Sequence, residues 1–355
     1  MILNKTNNME SKIIGIGAAL PQYVYDQRRI FDELGYNRHF WPIFRDSGIQ
    51  QRHFAVPVSE IKILGFQEQQ DRYRTEAGNL SLAAASECLD GVKPEKLGMI
   101  ISVHCTAFGF PGPTLAHFLG RKFSCGPETY YENIASMGCE AGFPGLKRAW
   151  DFYVNNGKPA LVVACELSSC SYFPESGGQD KENDYELLRS NAVFADGAAA
   201  ILVGNDDSPR HPEIIDTAAF TDIAYESELG YIWRNGRLRV RLGRHIPEIA
   251  ANLAEKVLGI ILPRNHISPA DINYWLVHAA GAQVLDAIRD RIGFNEEKLS
   301  FSREILRRCG NCSSVTIGLI GRELMKTKNP APGERGLIIS LGPGMTAGAT
   351  LIRWS

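Results

Sequence analysis

The chain has 355 residues, of which 44% are hydrophobic and 22% charged, and its formal net charge at pH 7 is −2. A chain of this length can bury a large core, and its near-neutral charge excludes long-range attraction to nucleic acid or to an acidic membrane surface. No apolar run approaches the length of about 20 residues that a membrane-spanning helix needs, so we expect no membrane partner.

Apolar runs alternate with helical segments from the first residues to the last. Buried strands are predicted at 12–20, 97–105, 159–167, 197–205, 272–280, 335–342 and 348–355. Helices are predicted at 74–89, 112–122, 141–155, 247–261, 281–293 and 313–326. Continuous apolar strands separated by helices indicate α/β sheets that are covered on both faces.

The order of elements is similar in the two parts of the chain, which predicts a duplicated arrangement. Residues 1–206 form one predicted half and residues 207–355 the other. The polar stretch 174–191 is predicted to be a surface insertion in the first half.

Eight cysteines occur in the chain, and the polar start before residue 12 lacks the apolar segment of a secretory leader. This combination predicts a cytoplasmic protein with reduced thiols. Cys165 lies close to Cys170, and Cys309 close to Cys312, but neither pair has matching ligands at zinc spacing, so we expect no metal site.

Cys139 stands in "GCEAGFPG", just ahead of a predicted helix with small residues around it. The N-terminus of a helix favours a thiolate, and small neighbours leave room for a substrate. A buried structural thiol is the alternative, because free cysteine is among the most buried residues.

His278 and Asn311 are two further candidates for a reactive site. His278 follows a predicted strand, at the kind of strand end where α/β proteins build sites, and could act as an acid, base or hydrogen-bond donor. Asn311 lies between glycine and small residues, so its amide could stabilise an oxyanion or only cap a turn.

Cysteine, histidine and asparagine in this order resemble the thiolase superfamily, and within it the type III polyketide synthases. The motifs that carry the resemblance are "GCEAG" (138–142), "FADGAAAILVG" (194–204), "HAAGAQVLD" (278–286), "GNCSS" (310–314) and "LGPGMTAG" (341–348). The segment "SGIQQRHF" (47–54) also resembles the ketoacyl-ACP synthase III branch. We favour the polyketide branch because "HAAG" departs from the "HQAN" of the other.

The resemblance implies a thiolase-like α/β fold: duplicated αβαβα layered halves with mixed five-stranded sheets, working as a homodimer. It implies an acyltransferase in which Cys139 carries an acyl starter. His278 forms an ion pair with that thiol, and His278 and Asn311 bind the carbonyl of a malonyl unit. Acyl-CoA and malonyl-CoA would be substrates, and no cofactor is implied.

The resemblance also assigns residues to the substrate pocket. Phe194 matches an aromatic gate, and Val240 stands where relatives carry a second gate residue. Phe110 takes the place of a methionine that reaches into the partner's cavity. The remaining pocket candidates are Trp233, Ser313, Ser168 and Ser171.

Binding of coenzyme A has weaker support in the sequence. Relatives carry several basic residues in the segment that corresponds to 38–52, where this chain offers Arg45 and Arg52 partly out of register. Arg308, near Asn311, could compensate. An acyl carrier protein therefore stays open as the thioester donor.

Three alternatives to a type III polyketide synthase remain at this point. The first is a ketoacyl-ACP synthase III-like enzyme or an acyltransferase that forms no carbon–carbon bond. The second is a non-catalytic half of a heterodimer, which the presence of all three reactive residues disfavours. The third is a thiol hydrolase, for which no motif places a water.

Overall fold

The computed structural model describes residues 10–105, 109–171, 181–234 and 237–355, with side chains at all of these except residues 171, 181–184, 234 and 237. The strands are β1 Lys12–Ala19, β2 Tyr23–Asp26, β3 Gln51–Phe54, β4 Met99–His104, β5 Tyr130–Ala135, β6 Ala160–Glu166, β7 Gly197–Gly204, β8 Glu213–Thr221, β9 Leu229–Arg234, β10 Arg237–Leu242, β11 Tyr274–Val277, β12 Arg335–Gly342 and β13 Thr346–Arg353.

The helices alternate with these strands. They are α1 Gln27–Glu33, α2 Trp41–Arg45, α3 Val58–Ile61, α4 Phe66–Cys88, α5 Leu115–Lys122, α6 Gly142–Asn156, α7 Ser168–Ser171, α8 Lys181–Val193, α9 Ile246–Arg264, α10 Ala282–Ile292, α11 Ser300–Cys309 and α12 Thr316–Thr327. Among the described residues, no helix combines the length and apolar character needed to cross a bilayer.

Nine of the described strands form one mixed sheet, in the order β11-β12-β13-β8-β1-β7-β6-β4-β5. Strand β4 pairs in parallel with β5 and β6, and β11 with β12, while the remaining pairs are antiparallel. The predicted first half contributes five strands and the predicted second half four. They meet where Lys12 of β1 pairs with Glu213 of β8, and the division into halves at 206/207 stays a prediction.

Helices lie in layers on the faces of this sheet. Helix α6 contacts β4 and β6 of the first half and also β13 of the second, and α12 contacts β1, β7 and β11. Helix α4 covers β1, β6 and β7, and α9 covers β8, β12 and β13. The two central helices therefore pack between the two parts of the sheet, which is the predicted αβαβα layering.

The predicted strands and helices agree with the structure to within a few residues at most ends. Several elements were not predicted: strands β2, β3, β5 and β8, the hairpin β9–β10, and helices α1, α2, α3, α7, α8 and α11. The predicted strand 272–280 ends early, at Val277. Residues 174–180 of the predicted insertion lie outside the described residues, and 181–191 belong to α8.

Candidate active site

Cys139 lies in a short helical turn, Gly138–Ala141, between the end of β5 and the start of α6. The turn requires glycine at position 138, where φ is +60°. A Cβ atom there would lie 2.4 Å from Cδ of Pro343, in the loop that joins β12 and β13. Gly138 therefore lets the two loops touch, which holds the Cys139 thiol against the C-terminal part of the sheet.

His278 is the first residue after β11, and its N–H continues the parallel pairing by donating to the Ile339 carbonyl at 2.8 Å. Its side chain is 1% exposed. Among the described residues, neither ring nitrogen has a hydrogen-bond partner. Buried polar atoms normally have partners, so an imidazole left unpaired beside a cavity is suited to a group that arrives with a substrate.

Asn311 is fixed through both its backbone and its side chain. Its N–H donates to the Val193 carbonyl and its carbonyl accepts from the Ala195 N–H, both at 2.9 Å. These two bonds are made to the residues on either side of Phe194. The amide Nδ2 donates to the Ala280 carbonyl at 3.1 Å, and Oδ1 accepts from the Ser313 N–H at 2.8 Å. An amide NH2 has two donors, and the Asn311 side chain also forms a hydrogen bond to the Cys139 thiol.

These three side chains, distant in sequence, line a single cavity of about 410 Å³ together with Phe194. The cavity extends from exposed residues such as Pro42 to the buried Cys139, which is 7% exposed. A nucleophile, an acid or base and an amide donor thus face one space that a small molecule can enter.

Burial sets the charge of the nucleophile and its neighbour. Burial raises the pKa of the Cys139 thiol to about 12, against a hydrogen bond from Ser313 that lowers it. Burial also lowers the pKa of His278 to about 4. Burial therefore works against the predicted thiolate–imidazolium ion pair, which stays a prediction.

A hydrogen-bonded network lies beside Cys139, away from the cavity. The Cys105 thiol lies 3.1 Å from Ser313 Oγ and donates to Glu166 Oε1 at 3.0 Å. The Cys105 N–H donates to Glu166 Oε2 at 2.9 Å, and Ser314 Oγ donates to Oε1. Burial raises the pKa of Glu166 to about 7, although its hydrogen bonds oppose the shift.

Comparison with known families decides the class of the protein. A sequence profile described as "FAE1/Type III polyketide synthase-like protein" matches residues 25–280. The chain belongs to the type III polyketide synthase-like family. A second profile, for the C-terminal part of 3-oxoacyl-[acyl-carrier-protein] synthase III, matches residues 262–354. The resemblance predicted from the five motifs is confirmed.

Individual relatives align with nearly the whole chain. A putative chalcone synthase of Bacillus subtilis is 28% identical, with 96% of this chain and 98% of the relative covered. A 3,5-dihydroxyphenylacetyl-CoA synthase of Streptomyces toyocaensis is 26% identical, with 97% and 90% covered. As a type III polyketide synthase-like protein, the chain is an acyltransferase that acts as a condensing enzyme.

Solved structures confirm the predicted thiolase-like fold. The crystal structure of PKS-I from the brown alga Ectocarpus siliculosus superposes with a TM-score of 0.85, at 23% identity, covering 98% of each chain. The C-terminal type III polyketide synthase domain of Steely1 from Dictyostelium superposes with a TM-score of 0.86, at 19% identity, covering 97% of this chain and 99% of that one.

The structure places the predicted pocket residues of this polyketide synthase-like chain at different depths. Phe194 lines the cavity. Ser313 contacts Cys105 and its hydroxyl bonds to the Cys139 thiol, so it lies behind the nucleophile. Ser168 Oγ donates to the Ala195 carbonyl at 3.3 Å, a bond within the fold. The side chain of Ser171 lies outside the described residues.

Three other pocket candidates do not line this cavity. Phe110 packs against Phe118 with ring centroids 5.8 Å apart, and its predicted role in a partner's cavity stays a prediction. Val240 is buried in β10. Trp233 is 66% exposed on β9, so its predicted place in the pocket is wrong for this chain.

The three arginines predicted to bind coenzyme A are also placed elsewhere. Arg52 is 0% exposed and donates to the Asn191 and Phe194 carbonyls at 2.7 and 2.8 Å, so it supports the fold and cannot meet a ligand at the surface. Arg45 is exposed and binds Asp46 through two hydrogen bonds. Arg308 lies 3.7 Å from Glu304 and does not line the cavity.

The sequence reasoning missed Glu166, Cys105 and the arginines of the cavity mouth. A signal existed for the first two, because each stands at or just after the end of a buried strand. Strands β4 and β6 are parallel neighbours, and the carboxyl ends of such strands meet at one edge of a sheet. No comparable signal marked Arg189 and Arg244, which line the cavity from α8 and from the loop before α9.

Proposed function

We propose that this enzyme loads an acyl starter on Cys139 and extends it with malonyl-CoA by decarboxylative Claisen condensation. The observation that carries the proposal is the meeting of Cys139, His278 and Asn311 around one cavity. Support for the coenzyme A thioester comes from a relative that is named as a 3,5-dihydroxyphenylacetyl-CoA synthase.

In the loading step, His278 acts as a base. Because burial favours the neutral thiol of Cys139, its proton leaves as the sulfur attacks the acyl carbonyl. The neutral imidazole of His278 has one nitrogen able to accept that proton. The carbon–sulfur bond to Cys139 forms, the bond to coenzyme A breaks, and the proton passes to the departing thiolate.

In the extension step, His278 and Asn311 act as donors. Loss of CO2 from the malonyl unit leaves negative charge on its thioester oxygen, and two fixed N–H donors stabilise that charge. One Asn311 N–H is bound to Ala280, and the other, on the side of Cys139, is the one that serves this purpose. The carbanion then attacks the acyl group on Cys139, a carbon–carbon bond forms, the carbon–sulfur bond to Cys139 breaks, and the departing thiolate takes up a proton from solvent.

The proposal also includes the oligomeric state and the location of the enzyme. We propose a homodimer, as the family resemblance implies, and a location in the cytoplasm. All eight cysteines carry free thiols, which is typical of a reducing compartment.

The experiment is incubation with malonyl-CoA and a panel of acyl-CoA starters, followed by mass spectrometry of the products and of the Cys139 peptide. We expect an acylated Cys139 and products longer by two-carbon units. Cys139→Ala should abolish both, whereas Cys125→Ala, which removes a thiol far from the cavity, should abolish neither. Acylation at another residue, or transfer of the acyl group without release of CO2, would overturn the proposal.

A further inference from the structure

The cavity has a buried floor and an exposed mouth, and the two ends differ in chemistry. Cys139, His278 and Asn311 lie at the floor, each less than a tenth exposed. Arg244 and Tyr185 lie at the exposed end. A thioester whose carbonyl reaches Cys139 must therefore leave the remainder of its carrier group extending toward the mouth.

The mouth carries a net positive charge. The charged residues that line it are Arg189, Arg244 and Asp46. Asp46 is already bound by two hydrogen bonds of 2.7 and 2.8 Å from Arg45. Arg45, which does not itself line the cavity, thus neutralises the Asp46 carboxylate. The guanidinium groups of Arg189 and Arg244 therefore account for the net positive charge of the mouth.

Neither guanidinium group is balanced by an acid in the described part of the chain. Arg189 donates one hydrogen bond, of 3.3 Å, to the Leu242 carbonyl. Arg244 donates from Nε to the His245 ring at 2.9 Å. Most exposed arginines whose side chains the structure describes have a carboxylate partner, such as Arg291 with Glu255 at 2.9 Å. Two unbalanced arginines at the open end of a reactive cavity are suited to a phosphate.

The lining between mouth and floor is largely apolar. It includes Leu229, Leu242, Ile246, Val284 and Phe194. The pantetheine arm of a thioester carries no charge between its sulfur and its phosphate, so it can cross this stretch. Its phosphate would then emerge near the two arginines.

We propose that Arg189 and Arg244 bind the phosphate end of the phosphopantetheine arm, in place of the basic segment 38–52. This inference rests on the proposed function, because it assumes a thioester that reacts at Cys139. Coenzyme A and a carrier protein share this phosphate, and coenzyme A adds the phosphates of its nucleotide. Arg52 cannot contribute because it is buried within the fold.

The experiment measures binding by calorimetry, with coenzyme A, 4′-phosphopantetheine and unphosphorylated pantetheine as probes. The variants are Arg189→Gln, Arg244→Gln and their double substitution. Arg291→Gln is the matched control, because it removes an exposed arginine of α10 outside the cavity. Arg189→Lys keeps the positive charge but removes the planar guanidinium group. It replaces Arg189→Gln in the experiment if that variant folds poorly.

We expect each glutamine variant to weaken coenzyme A binding about 2- to 5-fold, as for loss of one partly exposed charge pair. Pantetheine binding should not change, and added salt should shrink the difference between the probes. Equal losses for coenzyme A and phosphopantetheine would assign the shared phosphate as the contact. A loss confined to coenzyme A would place the contact at the nucleotide phosphates and overturn the assignment to the phosphate of the pantetheine arm.

The inference is overturned if the double variant binds coenzyme A as tightly as the unmodified enzyme, or if pantetheine binding falls by the same factor. These outcomes are separate from those of the proposed function, because binding needs no turnover. Condensation that persists with unchanged coenzyme A affinity in the double variant contradicts the arginine assignment alone. Arginine-dependent binding without any condensation contradicts the proposed reaction alone.

Discussion

The Cys105 thiol donates a hydrogen bond of 3.0 Å to Glu166 Oε1, which places a second thiol and a buried carboxyl group beside the nucleophile. Ser313 connects this pair to Cys139. The negative charge of Glu166, when it ionises, raises the pKa of Cys139. The reactivity of the nucleophile is therefore coupled to a group outside the cavity.

Glu166→Gln should make Cys139 more reactive above pH 7. Because the pKa of Glu166 is about 7, the carboxyl is mostly neutral at pH 6 and mostly ionised at pH 8. Glutamine removes that charge, so iodoacetamide should alkylate Cys139 at least about threefold faster at pH 8, the effect of half a pKa unit. The rates of the two proteins should converge at pH 6.

The measurement is the alkylation rate of the Cys139 peptide by mass spectrometry between pH 6 and pH 9. Glu132→Gln, which removes a carboxylate paired with Arg148 on β5, should leave the rate unchanged. Identical profiles for Glu166→Gln and the unmodified enzyme would show that the carboxyl does not act on Cys139.

Asn311→Asp should reduce malonyl decarboxylation, and it should also lower the free energy of unfolding because it removes the hydrogen bond from Nδ2 to the Ala280 carbonyl. An aspartate can still accept from the Ser313 N–H, as Asn311 Oδ1 does at 2.8 Å, but it has no N–H to give to a developing oxyanion. Loss of one such donor costs about 100- to 1000-fold in rate. The measurement is release of labelled CO2 from malonyl-CoA. A decrease below about tenfold would show that the amide does not contact the reacting oxygen.

Tyr231→Ala should lengthen the polyketide product. The Tyr231 hydroxyl lies 3.4 Å from the point where a Cβ on Gly138 would stand, next to the nucleophile. Its side chain does not line the cavity, so it fills space behind Cys139. Removing the ring should extend the cavity and allow further two-carbon additions, visible by mass spectrometry. Trp233→Ala, at an exposed position, should give unchanged products, and unchanged products from both variants would contradict this account.

Glu87→Gln should lower the free energy of unfolding at pH 7 by about 1 kcal/mol, because the carboxyl is partly exposed. Burial opposes its ionisation, but hydrogen bonds from Arg322, the Ala18 N–H and Lys326 prevail and lower the pKa of Glu87 to about 2. Because the pKa of Glu87 is lower in the folded chain than its ordinary value of 4.5, the ionised carboxylate stabilises the fold at pH values above 4.5. This contribution is lost as the pH falls from about 4.5 towards 2.

Urea unfolding at pH 7 and pH 3 tests this prediction. The difference between Glu87→Gln and the unmodified enzyme should be largest at pH 7 and smaller at pH 3. Glu95→Gln, at an exposed position in the loop before β4, serves as the control. A difference that does not change with pH would show that the carboxylate charge is not responsible.

The sequence carried enough information to predict the strands and the three cavity residues. Apolar runs are long and unambiguous where a strand is buried on both faces, as in β6 and β12. Cys139 and Asn311 stand next to glycines that the backbone requires, with φ of +60° at Gly138 and +75° at Gly310. His278 follows the end of a buried strand.

The remaining functional positions could not be predicted because they depend on which way a side chain points. Arginine is usually found at the surface, yet the side chain of Arg52 points inward and donates to backbone carbonyls. Tryptophan is a large apolar residue that a sequence suggests for a core or a pocket, but Trp233 is exposed. The arginines of the mouth come from two elements that meet only in the folded chain, and the pKa of Cys139 depends on burial that no local motif reveals.

The most direct test of the proposed reaction separates decarboxylation from chain extension in Cys139→Gln. Glutamine cannot hold an acyl group, but it leaves His278 and Asn311 in place at the cavity floor. With labelled malonyl-CoA and an acyl-CoA starter, we predict that Cys139→Gln still releases CO2 and forms no extended product. An extended product from Cys139→Gln, or no CO2 release from the unmodified enzyme, would contradict the account.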